Sequence, residues 1–103
     1  MNEMNIYRAT TVELQATVSG LDSLAGFTGH FVVKKRFTSD DKLIEVDASG
    51  AEIDGMTITF SLDSTDTDID KGRYFYELAI SNVGGDRYIV TQGRLVINNV
   101  LTW

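Results

Sequence analysis

Cysteine and proline are both missing from this 103-residue chain, and histidine occurs once. Without cysteine there are no disulfide staples, thiolate metal sites or cysteine nucleophiles, so the fold must rest on its core and its hydrogen-bonded ladders. Without proline, slow isomerisation drops out of the folding reaction. Positive charge is also scarce: nine Lys and Arg stand against 15 Asp and Glu, for a net charge of −6. Phosphate binding needs concentrated positive charge, which argues against nucleic acid as a partner. No run approaches the roughly 18 consecutive apolar residues of a membrane helix. The opening MNEMNIYRAT lacks the basic-then-apolar order of a secretory signal. The expectation is a soluble protein without a membrane partner, kept inside the cell that makes it.

The residues that are present describe a packed globule. An apolar fraction of 43% with 10% aromatics is enough for a core rather than a disordered chain. The length fits one domain, 1–103, and a domain of this size buries roughly 60–65% of the surface its unfolded chain exposes.

Periodicity of two dominates. Val12, Leu14, Ala16 and Val18 alternate with Glu13, Gln15 and Thr17, the pattern of a half-buried strand. The Gly- and Ser-rich segment that follows carries Leu21, Leu24 and Phe27, expected to fold back as a cover. A second strand is expected from Gly29 to Phe37 with Phe31 and Val33 inward, and a short third from Lys42 to Val46. Met56, Ile58, Phe60 and Leu62 then alternate with Thr57, Thr59 and Ser61. Asp63, Ser64 and Thr65 are suited to cap a single helical turn, because short polar side chains accept the free amides at a helix start.

Gly72 ends that turn, and Tyr74, Tyr76, Leu78 and Ile80 share one face of a strand from Arg73 to Ser81. Gly84 and Gly85 supply a turn, and a last strand spans Tyr88 to Ile97 with Gly93 as an expected bulge. Six or seven antiparallel strands with no helix beyond about one turn point to an all-β, immunoglobulin-like two-sheet sandwich, with a small barrel as the alternative.

Candidate chemistry is sparse. A hydrolytic triad needs a nucleophile, a base and an orienting acid; the lone His30 reads instead as a half-exposed strand residue, and no catalytic residue is assigned. The sharpest metal pattern is Asp66, Asp68, Asp70 and Glu77, which occupy positions 1, 3, 5 and 12 as in a calcium loop. The glycine falls at position seven rather than six, however, and residues 73–77 read as strand. A solvated acidic turn is therefore the preferred reading, and neither a metal nor a cofactor is assigned.

The basic trio Lys34, Lys35 and Arg36 either contacts a phosphate or an acidic partner or guards a strand edge, and the guard is favoured. Trp103 either tucks under the terminal strand or meets a neighbour, since aromatic anchors are enriched at interfaces. The arm 1–9, with Met4, Ile6 and Tyr7, either frays or is swapped as an added strand onto an adjacent subunit. Ile6, Tyr7, Lys34, Lys35, Arg36 and Trp103 are thus the interface candidates.

The run Gly72-Arg73-Tyr74-Phe75-Tyr76-Glu77-Leu78, together with Gly93-Arg94 and the segments VVKKRF and MTITFSL, resembles a recurrent small β-sandwich module of tailed-bacteriophage virion proteins. Similar modules form the N-terminal domain of upper baseplate proteins. The resemblance covers about residues 10 to 102. It departs where Asp70-Lys71 stands in place of the family's usual proline and where a spare residue enters Val100-Leu101-Thr102. Gly72, Arg73, Tyr74, Tyr76, Gly93 and Arg94 carry the motif. Tyr74 and Tyr76, or alternatively Phe75, are expected to face the core, and Arg73 and Arg94 to pair with acidic groups.

The resemblance implies a non-enzymatic structural component of a phage particle, located in the virion after synthesis in the host cytoplasm. It would work through contacts with other virion proteins, in multiple copies or as a homo-oligomer. Tail or baseplate ranks ahead of head decoration or the neck. Two further alternatives are a module for host surface carbohydrate, with Tyr7, Tyr88 and Trp103 as its platform, and a small acidic inhibitor of a host protein presenting Asp63, Asp66, Asp68 and Asp70.

Overall fold

The computed structural model describes residues 2–48 and 52–101, so Trp103 lies outside the described residues. Eight strands follow in order: β1 (Asn2–Tyr7), β2 (Val12–Thr17), β3 (Thr28–Lys34), β4 (Ile44–Ala48), β5 (Ile53–Asp54), β6 (Thr57–Leu62), β7 (Gly72–Ser81) and β8 (Arg87–Asn98). They form a five-stranded sheet in the order β1-β8-β7-β3-β4 and a three-stranded sheet in the order β2-β6-β5. In immunoglobulin lettering β2, β6 and β5 hold the positions of strands B, E and D, while β3, β4, β7 and β8 hold C, C′, F and G. The protein is an immunoglobulin-like two-sheet sandwich.

Alternation in the sequence explains which residues face inward. Ile58, Phe60 and Leu62 of β6 meet Phe31, Val33, Ile80, Leu95 and Ile97 of the larger sheet in one buried cluster. The Phe31 and Phe60 rings touch across the sheets with centroids 5.9 Å apart. Leu24 is buried and Leu21 and Phe27 pack against the same cluster, so the Gly- and Ser-rich segment does cover the core. Tyr74, Tyr76, Leu78 and Ile80 all face inward, and Phe75 faces out.

Strand β3 ends at Lys34, three residues short of the expected Phe37, and three further features depart from the sequence reading. Within the arm 1–9, Asn2–Tyr7 is a strand of the chain's own larger sheet: β1 pairs with β8 in parallel, Ile6 opposite Ile97, and Ile6 is buried. Burial of that side chain fixes the segment in place. The bulge falls opposite the Leu78–Ala79 step of β7, where the partner register moves from Thr91 to Ile89. Gly93, by contrast, stays in register opposite Tyr76. Strand β4 begins at Ile44, two residues later than expected, with Leu43 exposed; adjacent Leu and Ile leave the parity of a short strand ambiguous.

Entry into β7 is set by two details. Gly72 adopts φ 148°, a conformation that side-chain-bearing residues rarely adopt. Just inside the strand, the Tyr74 hydroxyl donates to the Asp70 carbonyl oxygen across 2.6 Å. This is the tyrosine-corner arrangement of immunoglobulin-like domains, in which the Tyr at the start of strand F bonds back to the preceding corner. Two residues on, where antibody domains place a cysteine, Tyr76 packs its ring 6.0 Å from that of Phe31. The disulfide of antibody domains crosses to strand B of the other sheet, whereas Phe31 lies on β3 of the same sheet as Tyr76, so this ring contact stays within one sheet.

Candidate functional site

The outer face of the five-stranded sheet collects the polar and exposed residues that alternation excludes from the core. Across it runs an open groove of about 550 Å³. Val32, Ala79 and Ile89, from three adjacent strands, give it an apolar floor. One end is walled by Phe37 and Phe75, whose ring centroids lie 4.5 Å apart. Lys42 and Glu45 pair at 3.2 Å on the rim, and Gln92 donates to Glu77 across 2.7 Å.

The other end of the groove holds an arrangement that spacing along the chain does not reveal. His30 Nδ1 lies 2.8 Å from Asp47 Oδ1, and its Nε2 lies 2.8 Å from Ser81 Oγ. Three strands supply these groups: β4 the carboxylate, β3 the imidazole, β7 the hydroxyl. The order of donors and acceptors is that of an acid–base–nucleophile relay. His30 and Asp47 are 37% and 60% exposed, so water competes at each bond. Ser81 is paired with Thr28 on one side and Arg87 on the other, where backbone amides are committed to ladders rather than held out as an oxyanion hole. The trio ties three strands together at the end of the groove.

The remaining candidates scatter. Asp66 and Asp63 cap each other, the Asp66 amide donating to Asp63 Oδ1 at 2.9 Å and the Asp63 amide to Asp66 Oδ2 at 3.0 Å. A capped turn is present where a helical one was expected, but it is not helical, and Asp66 joins Asp63 in closing it in place of Ser64 and Thr65. Asp68 pairs with Arg8 at 3.1 Å, and Asp70 lies 3.8 Å from the same guanidinium. Glu77 lies on the outer face of β7. Among the described residues no group of three or more His, Asp or Glu side chains converges as a metal site would require. Asp66, Asp68, Asp70 and Glu77 do not converge, and the acidic surface of Asp63, Asp66, Asp68 and Asp70 is partly neutralised by Arg8.

The basic trio does not guard an edge, because β3 lies between β7 and β4. Lys34 lies on the groove face. Lys35 Nζ sits 4.6 Å from the centre of the Tyr74 ring and donates to the Arg73 carbonyl at 3.3 Å. Arg36 is exposed in the turn beyond. Arg8 pairs with Asp68 and Asp70, and Lys42 with Glu45; the side chains of Arg73 and Arg94 are in none of these pairs.

Tyr7 and Tyr88 are both exposed, but Tyr7 pairs with Asn98 at the far end of β8 from Tyr88, about 30 Å away at about 3.4 Å per residue. They do not form one carbohydrate platform, and Trp103 lies outside the described residues.

Sequence reasoning missed Ser81, Asp47 and the groove because they come together through strand pairing. It also missed Thr67, which is fully buried. Its hydroxyl accepts from the Thr10 amide at 2.9 Å and donates to the Thr10 carbonyl at 2.6 Å, fastening the β1–β2 corner to the turn before β7. Among the described residues no helix is long and apolar enough to cross a membrane.

No family model and no curated protein matches the sequence. Among solved structures, the chain is similar to the extracellular domains of the voltage-gated sodium channel β4 subunit, seen as parallel homodimers said to explain its role in cell–cell adhesion. The identity is 14% and the TM-score 0.45, over 96% of this chain and 90% of that one. A structure used for photo-crosslinking of multimeric cell-adhesive interactions of sodium channel β subunits is similar at 13% identity and a TM-score of 0.46, over 96% and 91%. Likeness at this level carries nothing about what this chain binds.

Proposed function

We propose that this chain is a non-enzymatic, protein-binding sandwich that serves as a structural component of a bacteriophage particle, with a tail or baseplate position ranked ahead of head decoration or the neck. The support comes from two sides. The Gly72 to Leu78 run, with Gly93 and Arg94, carries the resemblance to phage virion modules, and these residues form the paired centre of the larger sheet. The observation that carries the protein-binding reading is the groove: an apolar floor of Val32, Ala79 and Ile89 beside the Phe37–Phe75 pair, flanked by charges of both signs. An apolar patch with a polar rim suits association with another protein. The partners are other virion proteins, and the site of action is the particle.

The test is immunogold electron microscopy with antibody against this chain, on purified particles of the phage that encodes it, alongside mass spectrometry of the same particles. Gold at a fixed position supports the reading and locates the protein. Particles free of the chain, with the protein confined to the infected-cell lysate, overturn it and bring the inhibitor forward.

A further inference from the structure

Strand β2 ends its sheet: the order is β2-β6-β5, and no strand among the described residues lies on its other side. In the four-stranded sheet common to this architecture, a strand A occupies that position. Here β1 has joined the opposite sheet, leaving the place beside β2 empty. The edge carries one of the usual safeguards, the outward charge of Glu13. It has no proline, lysine, inward charge or bulge, and it runs for six residues, Val12–Thr17. Its inward residues Val12, Leu14 and Ala16 are only half-buried, whereas Ile58, Phe60 and Leu62 on the neighbouring β6 are fully covered.

The direction of the free backbone groups follows from one bond. The Val18 amide donates to the Met56 carbonyl at 2.8 Å, on the β6 side. Along a strand these groups alternate sides, so Val12, Leu14 and Ala16 point their amides and carbonyls at β6. Glu13, Gln15 and Thr17 present theirs at the open edge.

We propose that this edge pairs with the same edge of a second copy of the chain, β2 against β2 antiparallel about a two-fold axis centred on Gln15. In that register Gln15 faces the Gln15 of the other copy, and Glu13 faces its Thr17. Every facing pair along the edge then consists of residues whose amides and carbonyls point outward, so each exchanges two N–H···O bonds. On the inner face Leu14 lies against Ala16, and Val12 against Val18, so apolar residues of one copy extend the half-covered row of the other. Glu13, the one charged residue of the strand, never meets its own counterpart. A shift by one residue sets apolar against polar side chains and misaligns the ladder. A self-complementary patch that satisfies its own operator is what an isologous dimer requires.

The natural absence of cysteine makes the register directly measurable on the full chain. Gln15→Cys places two thiols on residues whose Cα atoms lie about 5.5 Å apart in a hydrogen-bonded pair, within reach of a disulfide. Glu13→Cys places them about 14 Å apart along the strands, beyond it. The proposal expects sedimentation equilibrium to show concentration-dependent dimer for the wild-type chain. It expects a cross-linked dimer on mild oxidation of Gln15→Cys, and none for Glu13→Cys. Gln15→Pro removes only an outward amide, so it is expected to yield a monomer with unchanged far-UV circular dichroism. A chain that stays monomeric to millimolar concentration overturns the proposal. So does a dimer that fails to cross-link in the Gln15→Cys variant, or one that survives a folded Gln15→Pro. Capture of a different protein along β2 in place of self-pairing overturns it too. If Gln15→Pro fails to fold, the pair of cysteine variants decides alone.

Discussion

The Tyr74 hydroxyl reaches back 2.6 Å to the Asp70 carbonyl oxygen, so the strand that forms the centre of the larger sheet is anchored to the turn that delivers it. Burial first, then the Asp70 carboxylate, raise that hydroxyl above its ordinary value of 10.0, while Arg8 pulls it down. Tyr74→Phe is expected to cost about 0.5–1.5 kcal/mol through loss of the bond. A group whose pKa rises on folding contributes its full stability below the unfolded value and loses it as pH climbs through the folded one. Urea melts of the wild-type chain should therefore weaken above pH 10.0, and part of that weakening should be missing in Tyr74→Phe.

Tyr76 is 5% exposed and stacked on Phe31. Truncation to alanine opens a cavity between the sheets and is expected to cost about 3–5 kcal/mol, read as a fall in the denaturation midpoint. An unchanged midpoint would place this ring outside the core.

Gly29 is held small by packing rather than by its backbone. A Cβ there would come within 3.0 Å of Phe60 Cζ and 3.1 Å of Ile58 Cγ2, two side chains buried at the centre. Gly29→Ala should destabilise by about 1–3 kcal/mol despite alanine's lower unfolded-state entropy, and a stabilised variant would contradict the close approach.

Thr67→Val keeps the shape and removes both bonds to Thr10. The amide and carbonyl left behind are part-buried, and the expected loss is about 2 kcal/mol. Hydrogen exchange should show faster opening of β1 and β2 than of β7.

Ser81 should remain unmodified by a fluorophosphonate probe, measured by intact mass. Its hydroxyl is bonded to His30, but the strand around it offers no oxyanion hole. Stoichiometric labelling abolished by His30→Ala would turn the groove into an active site.

The sequence made β2, β6 and β7 legible because each repeats apolar and polar residues over six or more positions, and a core on one side of a sheet enforces that repeat. The faces assigned to Ile58, Phe60, Tyr74 and Tyr76 follow from it. The segment Met4 to Tyr7 offered little alternation to read, and its partner lies some ninety residues on, at Leu95 to Asn98. Pairing across that separation leaves no local signature. The His30 relay was hidden for the same reason: Asp47 and Ser81 come beside it only through the ladders on either flank of β3. Gly93 attracted the bulge on propensity, yet the extra residue entered at Val90, where the register between β7 and β8 slips.

The parallel pairing of β1 with β8 has a mechanical side. Asn2 sits beside Gly93 and Tyr7 beside Asn98, so tension applied at the two ends of the chain drags the strands past one another along their length. Their evenly spaced bonds share that load at once instead of parting one after another from an end. A sandwich strung between neighbours by its ends would thus meet the pull with its whole terminal ladder, and the pairing that closes the longest loop of the chain would be its first line of resistance to force.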